Sequence, residues 1–573
     1  MVNHSSPQPP TLPDPMHFSR NTWLLLLAWL VAVPAFAQRL PAGPQVLTIF
    51  SDIDDTEQPY ALYLPPNYDE SKAYPFVMML HGAGSNHRLA LRRVFGKSNE
   101  EGATDVETSR VFPDWKAVDY IVAAPFARGT TGYQGIAEQD VMDILADVKK
   151  RFRIDENRMY LTGLSMGGGG SLWIGLTRPD LWAAIAPVCP APPQGTEVFA
   201  PNVLNVPMHF FQGGADPVVK PEGTRQWVEN LKQLGTQVTY KEFPGVQHDS
   251  WVQAYQDEFI FDWFRQFTRN PYPDRVRFAT DRYAYNGAYW VTLDQLTTGT
   301  PSEIDVQFTA PNTLEVTTHN LNAFTLQLAD HPKFNAGAPL ALSIDGKKLK
   351  KVPAAGTLHL SKQDKGKWAV APYTAPAMAK QPGAEGPISA AFAERHVYVY
   401  GTADDPTPEE LQKRMAMAQK AADWSTYRGE FLGRVMVFPR VLADKDVRPS
   451  DFAEANLILF GTQETNRIIA QYSDQLPLQL DPGASDLGLL YVYPVQGHYV
   501  VVNSGLPWWA NQEASGMPFV PSVQRLLGGF KDFVLFKGSA DQVVTDGYFD
   551  QHWQLPAEAA AAMQATHSVA VTP

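Results

Sequence analysis

The 573-residue sequence predicts an α/β fold made of two strand-and-helix regions with a β-rich region between them. Three observations predict it. A serine sits in the pentapeptide Gly163-Leu164-Ser165-Met166-Gly167, between the apolar run Met159-Tyr160-Leu161 and the helix-like Ser171-Leu172-Trp173-Ile174, which reads as strand, sharp turn and helix. Further apolar, strand-like runs lie on both sides of it up to about residue 270. The texture then breaks twice, at Arg269-Asn270-Pro271-Tyr272-Pro273 and in the Pro- and Ala-rich stretch 374–386, where domain boundaries are expected. A chain this long exceeds one core and suggests two to four domains. The expected divisions are a signal peptide over 1–37, an α/β region over 38–270, a β-rich region over 271–375, a second α/β region over 376–550 and a tail over 551–573.

Taken in order, Arg20 precedes an apolar run over 23–33 and the small-residue site Ala35-Phe36-Ala37. This is the pattern of a signal peptide, cleaved after Ala37. The run is shorter than the roughly 20 residues of a spanning helix, so no membrane span is expected after cleavage. Residues 1–15 are polar and proline-rich, which makes Met16 an alternative start. The expected address is a bacterial periplasm or the extracellular space. The periplasm suits a chain whose single cysteine, Cys189, allows no intrachain disulfide. Cys189 is expected in the core.

The strand Pro75-Phe76-Val77-Met78-Met79 closes into Leu80-His81-Gly82-Ala83-Gly84. At the pentapeptide, a serine at the apex of a strand-to-helix turn sits in strained backbone geometry and needs the smallest neighbours two residues away on each side. Gly163 and Gly167 supply them. Downstream, Val206-Pro207-Met208-His209-Phe210-Phe211 ends in Gln212-Gly213-Gly214-Ala215-Asp216-Pro217, which puts Asp216 on a turn at the carboxyl end of a strand. A helical segment over 225–234 and the strand Gln237-Val238-Thr239-Tyr240-Lys241-Glu242-Phe243 then lead to Pro244-Gly245-Val246-Gln247-His248.

Serine, then acid, then histidine, each on a loop after a strand, is the order of the α/β-hydrolase fold. Ser165 is therefore the candidate nucleophile, His248 the general base and Asp216 the acid that fixes the histidine tautomer. His81, His87 and His209 do not follow the acid, and Asp249, which adjoins His248, is the alternative acid. Two N–H donors are expected for the oxyanion, one from Met166 and one from Ala83 or Gly82. This chemistry requires no metal and no organic cofactor.

Residues 151–168, from Arg151-Phe152-Arg153 through Thr162-Gly163-Leu164-Ser165-Met166-Gly167-Gly168, resemble the nucleophile region of secreted esterases related to feruloyl esterases and polyhydroxybutyrate depolymerases. Prolyl-oligopeptidase-type catalytic domains are similar there. The resemblance runs over about residues 45 to 270, through His81-Gly82-Ala83-Gly84, Arg128-Gly129, Gly213-Gly214-Ala215-Asp216 and His248-Asp249-Ser250-Trp251. It implies an α/β-hydrolase with Ser165, Asp216 and His248 as its triad. The disulfides common among extracellular members have no counterpart here, and no large β-propeller pattern precedes the hydrolase pattern, which lowers the peptidase reading.

From residue 276 to about 371, short alternating runs such as Ile304-Asp305-Val306-Gln307-Phe308 and Leu314-Glu315-Val316-Thr317-Thr318 recur, with the turn Asp345-Gly346. A small β-sandwich is expected. Beyond it, His396-Val397-Tyr398-Val399-Tyr400 leads to Gly401-Thr402 and a helical 408–424, while Leu457-Ile458-Leu459-Phe460 leads to Gly461-Thr462 and a helical 464–472. The repeated layout predicts a second, Rossmann-like domain with an open parallel sheet. It carries no G-x-G-x-x-G and no P-loop, and a non-catalytic role is expected of it. The formal net charge of −13 argues against a nucleic-acid partner. The expected function is that of an exported serine hydrolase acting on a small or polymeric carboxylic ester, possible substrates being acyl or feruloyl esters of polysaccharide or a polyester. The alternatives are a serine peptidase of the prolyl-oligopeptidase type and a binding protein on a hydrolase scaffold.

Overall fold

The computed structural model describes residues 40–424, 436–512 and 522–572. The expected signal peptide lies outside the described residues. The chain divides into a unit ending at Pro41 and a unit from Ala42 to Pro573; the elements below belong to the second.

The first sheet has eight strands: β1 (Gly43–Ser51), β2 (Thr56–Leu64), β3 (Tyr74–Leu80), β4 (Ile121–Pro125), β5 (Ile154–Leu164), β6 (Ala184–Val188), β7 (Met208–Gly213) and β8 (Val238–Phe243). Their spatial order is β1-β2-β4-β3-β5-β6-β7-β8. Only β1 and β2 pair antiparallel to their neighbours; from β4 to β8 the strands are parallel. Every residue of β3, β4 and β6 is buried, as expected for strands of a parallel sheet covered on both faces. The crossover helices include α1 (His87–Val94), α2 (Ile136–Arg151), α3 (Met166–Thr177) and α4 (Pro221–Gln233). Leu91 and Val94 of α1 share a core with Val77, Val122 and Tyr160 of the sheet and with Ile260 and Phe264 of α5 (Phe259–Phe264). Just before α5, Asp257 and Glu258 take left-handed φ of 55° and 54°, which ends one helical turn and starts another.

Between Arg275 and Val370 two five-stranded sheets follow. Val306 and Val316 of one share a single core with Leu293, Phe324 and Leu360 of the other, the layering of a β-sandwich. The strand Ser302–Ala310 buries alternate residues, as its sequence pattern required.

The last large sheet has seven strands and corrects the expectation of an open parallel one. Arg440–Ala443, His396–Tyr400, Asn456–Phe460 and His498–Gly505 run parallel, but Leu487–Val495, Phe533–Lys537 and Val543–Gly547 continue the sheet antiparallel. The switch comes from the two-residue link Gln496-Gly497, with φ of 54° and 88°, a tight hairpin that forces its strands to oppose. The Rossmann-like description therefore fits half of this sheet. The residues expected to form a tail instead contain a helix, Ala557–Gln564, and a strand, Val569–Val571, paired with Leu478–Leu480. Burial of Met563 and Val569 supplies the apolar contact that a free tail lacks. Among the described residues no helix is long and apolar enough to cross a membrane.

Candidate active site

Ser165 joins β5 to α3, with φ 55° and ψ −118°, a conformation that an L-residue holds only under constraint from its surroundings. The constraint is steric on both sides. A Cβ at Gly163 would lie 2.3 Å from the carbonyl oxygen of Gly167, and one at Gly167 would lie 2.2 Å from that of Leu80, so any larger residue would push the turn off the sheet. The backbone is also tied, with Ser165 N–H donating to Val188 O and Ala191 N–H to Ser165 O.

Asp216 and His248 come from the loops after β7 and β8 and meet at this serine. His248 Nε2 lies 2.9 Å from Ser165 Oγ, and His248 Nδ1 lies 2.8 Å from Asp216 Oδ2. The network assigns the proton of the neutral ring to Nδ1, facing the carboxylate, and leaves Nε2 to accept from the hydroxyl. The Asp216 carboxyl is fully buried, whereas the imidazole keeps 22% of its side-chain surface open, so a substrate can reach one end of the chain and not the other. Both ring nitrogens of His248 are thus engaged by Asp216 and Ser165, and Asp249 takes no part in either bond. Trp251 stands edge-on to the imidazole, with centroids 5.5 Å apart.

Sequence reasoning missed the support of the acid. Gln212, fully buried at the end of β7, donates from Nε2 to Asp216 Oδ2 at 3.1 Å, while its Oε1 accepts from Thr224 Oγ1 at 2.8 Å. Asp216 Oδ1 accepts the N–H groups of Val218 and Val219 at 2.8 and 2.9 Å. An amide inside an apolar run was the available signal, since a buried polar side chain requires partners.

The loop after β3 passes beside the serine, and a Cβ at Gly82 would lie 3.5 Å from Ser165 Cβ. Gly84 N–H is spent on Thr130 Oγ1 and Ser85 N–H on Gly82 O. Met166 opens α3, where an N–H has no intrahelical acceptor. His81 is buried, with Nδ1 and Nε2 each 2.8 Å from the carbonyl oxygens of Gly82 and Phe126, and burial lowers its pKa. His87 lies in α1 and His209 in β7, both buried. Burial pushes His87 down to about 3 and His209 down to about 4, so both rings are neutral.

Cys189, Asp216 and His248 offer ligand atoms within 4.8 Å of one another, a grouping found among the described residues. Burial pushes the Cys189 thiol up to about 12, which suppresses the thiolate a metal would need. The other two groups are already bonded to each other, so the donor set does not fit a metal site.

The Esterase family matches residues 53–261. Feruloyl esterase D of Neurospora crassa is 27% identical over 233 residues, which are 38% of this chain and 71% of that protein. Among solved structures, a thermostable esterase is 26% identical with a TM-score of 0.32, over 39% of this chain and 63% of its own. A ferulic acid esterase from Anaeromyces mucronatus in complex with ferulic acid is 19% identical, with a TM-score of 0.32, over 40% of this chain and 92% of its own. Residues 53–261 are thus an α/β-hydrolase of the esterase type, related to the feruloyl esterases.

Proposed function

We propose that the protein is an exported serine hydrolase of carboxylic esters in which Ser165 is the nucleophile, His248 the general base and Asp216 the orienting acid. The observation that carries this reading is the unbroken pair of hydrogen bonds from Ser165 Oγ through the imidazole to the Asp216 carboxylate. Ser165 Oγ attacks the acyl carbonyl while its proton passes to His248 Nε2. The oxyanion takes the N–H of Met166 and that of Ala83 or Gly82. His248 then protonates the leaving alkoxide, and a water activated by the same nitrogen releases the acid. The relatives named for feruloyl esters favour acyl esters of polysaccharide as the substrate class, with polyesters the alternative. Export rests on Arg20, the apolar run from residue 23 and Ala35-Phe36-Ala37.

The test is labelling with a fluorophosphonate probe, followed by peptide mapping and turnover of p-nitrophenyl esters. The expected result is one adduct, on Ser165, with ester turnover and no cleavage of aminoacyl anilides. A folded protein that takes no label would overturn the enzyme reading, and anilide cleavage at comparable rates would turn it into a peptidase. Asp216→Asn is expected to lower kcat by roughly 10⁴-fold, the size of the effect when the corresponding acid of a serine protease is changed the same way. The amide leaves the imidazole in the wrong tautomer while filling the same space, so the melting temperature should move far less than the rate.

A further inference from the structure

The loop after β4 is held in an unfavourable shape by a buried charge cluster. Ala127, Arg128 and Gly129 have φ of 46°, 61° and 82°, three consecutive residues in the left-handed region. Non-glycine residues stay there only when their surroundings hold them. Arg128 is fully buried. Its Nε and Nη2 donate to the two oxygens of Asp140 at 2.7 and 3.2 Å, its Nη1 to Asp54 at 2.6 Å and to Met436 O at 3.2 Å, and its Nη2 to Ser51 Oγ at 2.5 Å. A guanidinium has five N–H donors, and all five are used. Three contacts, that to Met436 O among them, tie this cluster to main-chain groups of the second α/β region. Phe438 N–H donates to Asp54 Oδ2 at 2.9 Å, and Met436 N–H to Arg128 O at 3.2 Å.

The same loop braces the one beside the serine. Phe126 O lies 2.8 Å from His81 Nε2, and Thr130 Oγ1 accepts the Gly84 N–H at 2.9 Å. These two bonds flank Gly82 and Ala83. We infer that Arg128 is a positioning residue for the oxyanion loop, and that Met436 and Phe438 complete its seat, making the second α/β region part of the catalytic unit. The inference rests on the reading of Ser165 as nucleophile and of the Gly82 or Ala83 N–H as an oxyanion donor. Such donors act only where they are already aimed at the developing charge, and a misplacement of about 1 Å can cost roughly 100-fold.

The test uses the full chain and two neighbouring substitutions. Asp54→Asn keeps the shape of the cluster and removes one of its charges. Asp55→Asn is the control, because Asp55 pairs with Arg395 of the second α/β region at 2.6 and 2.8 Å and has no bond to Arg128. Steady-state kinetics on p-nitrophenyl acetate are compared with inhibition by a trifluoromethyl ketone, which forms a tetrahedral adduct and needs the oxyanion donors. For Asp54→Asn, kcat is expected to fall about 10- to 100-fold with KM within about twofold, while the inhibition constant rises in parallel. For Asp55→Asn all three should stay within about twofold.

Should Asp54→Asn fail to fold, Ser51→Ala removes a single acceptor from Arg128, and a smaller loss with the same split of kcat from KM is expected. Equal effects of Asp54→Asn and Asp55→Asn, or a ketone constant unmoved in the folded Asp54 or Ser51 variant, would overturn the inference. A wild type that hydrolyses no ester would instead overturn the reading of Ser165, so the two failures are distinguishable.

Discussion

Ser165→Ala is expected to lower kcat on a p-nitrophenyl ester by about 10⁶-fold, the loss seen when the nucleophile of a serine protease is removed. In the proposed mechanism the hydroxyl oxygen forms the bond to the acyl carbon, and the Cys189 thiol is no substitute for it, being buried and protonated. A residual rate of roughly 10³ to 10⁴ over water should persist, because the oxyanion donors and the binding surface remain. Alanine adopts the Ser165 backbone angles no less readily than serine does, and the substitution releases His248 from one hydrogen bond only. KM and the melting temperature should therefore change little. Single-turnover kinetics with a mass-spectrometric search for the acyl-enzyme would check the prediction, which fails if the variant still accumulates an adduct or keeps a hundredth of the wild-type rate.

His248→Ala is expected to cost a similar factor of about 10⁶, and the double variant Ser165→Ala/His248→Ala no more than either alone. Residues that act as one unit lose the whole effect at the first removal, so a double-mutant cycle measures their coupling. Removing the imidazole leaves a buried carboxylate without its main partner, which is ordinarily costly. Here the cost is limited, because Asp216 retains Gln212 Nε2 and the N–H groups of Val218 and Val219. The variant should fold, react with a fluorophosphonate far more slowly than wild type and bind a non-hydrolysable substrate analogue with unchanged affinity. Additive losses in the double variant would mean that the two residues do not act through one proton transfer.

The elements that could be read from the sequence are those whose signals are local. Gly163 and Gly167 bracket Ser165 at a fixed spacing that is visible along the chain, although the clash Gly167 avoids is with Leu80 of β3, and the order Ser165, Asp216, His248 follows from strand ends that can be counted along the chain. The arginine cluster had no such signal. Ser51, Asp54, Arg128, Asp140 and Met436 are scattered over 385 positions, as the numbering of their bonds shows, and nothing in the periodicity around any of them announces that they converge. The antiparallel half of the last sheet was a different kind of miss. Gln496-Gly497 between the runs 487–495 and 498–505 is a local hairpin cue, outweighed by the conspicuous repeat of strand, Gly-Thr and helix around Gly401 and Gly461. The segment after residue 551 read as a tail because its alanine-rich helix is too short to stand by itself; burial of Met563 and Val569 and the strand pairing with residues 478–480 secure it.

Helix α3 has five glycines among its twelve residues, four of them consecutive, each roughly 1 kcal/mol less favourable in a helix than alanine. Left to itself, this segment would not coil. It becomes helical because its bare backbone presses against β6 and the loop after it, where even a methyl group would come within 2.4 Å of the Val188 carbonyl oxygen at Gly168 and within 1.9 Å of the Ala191 carbonyl oxygen at Gly169. In the unfolded chain Ser165 is thus a serine like any other, and the packing that coils α3 is also what sets it in its strained turn beside His248.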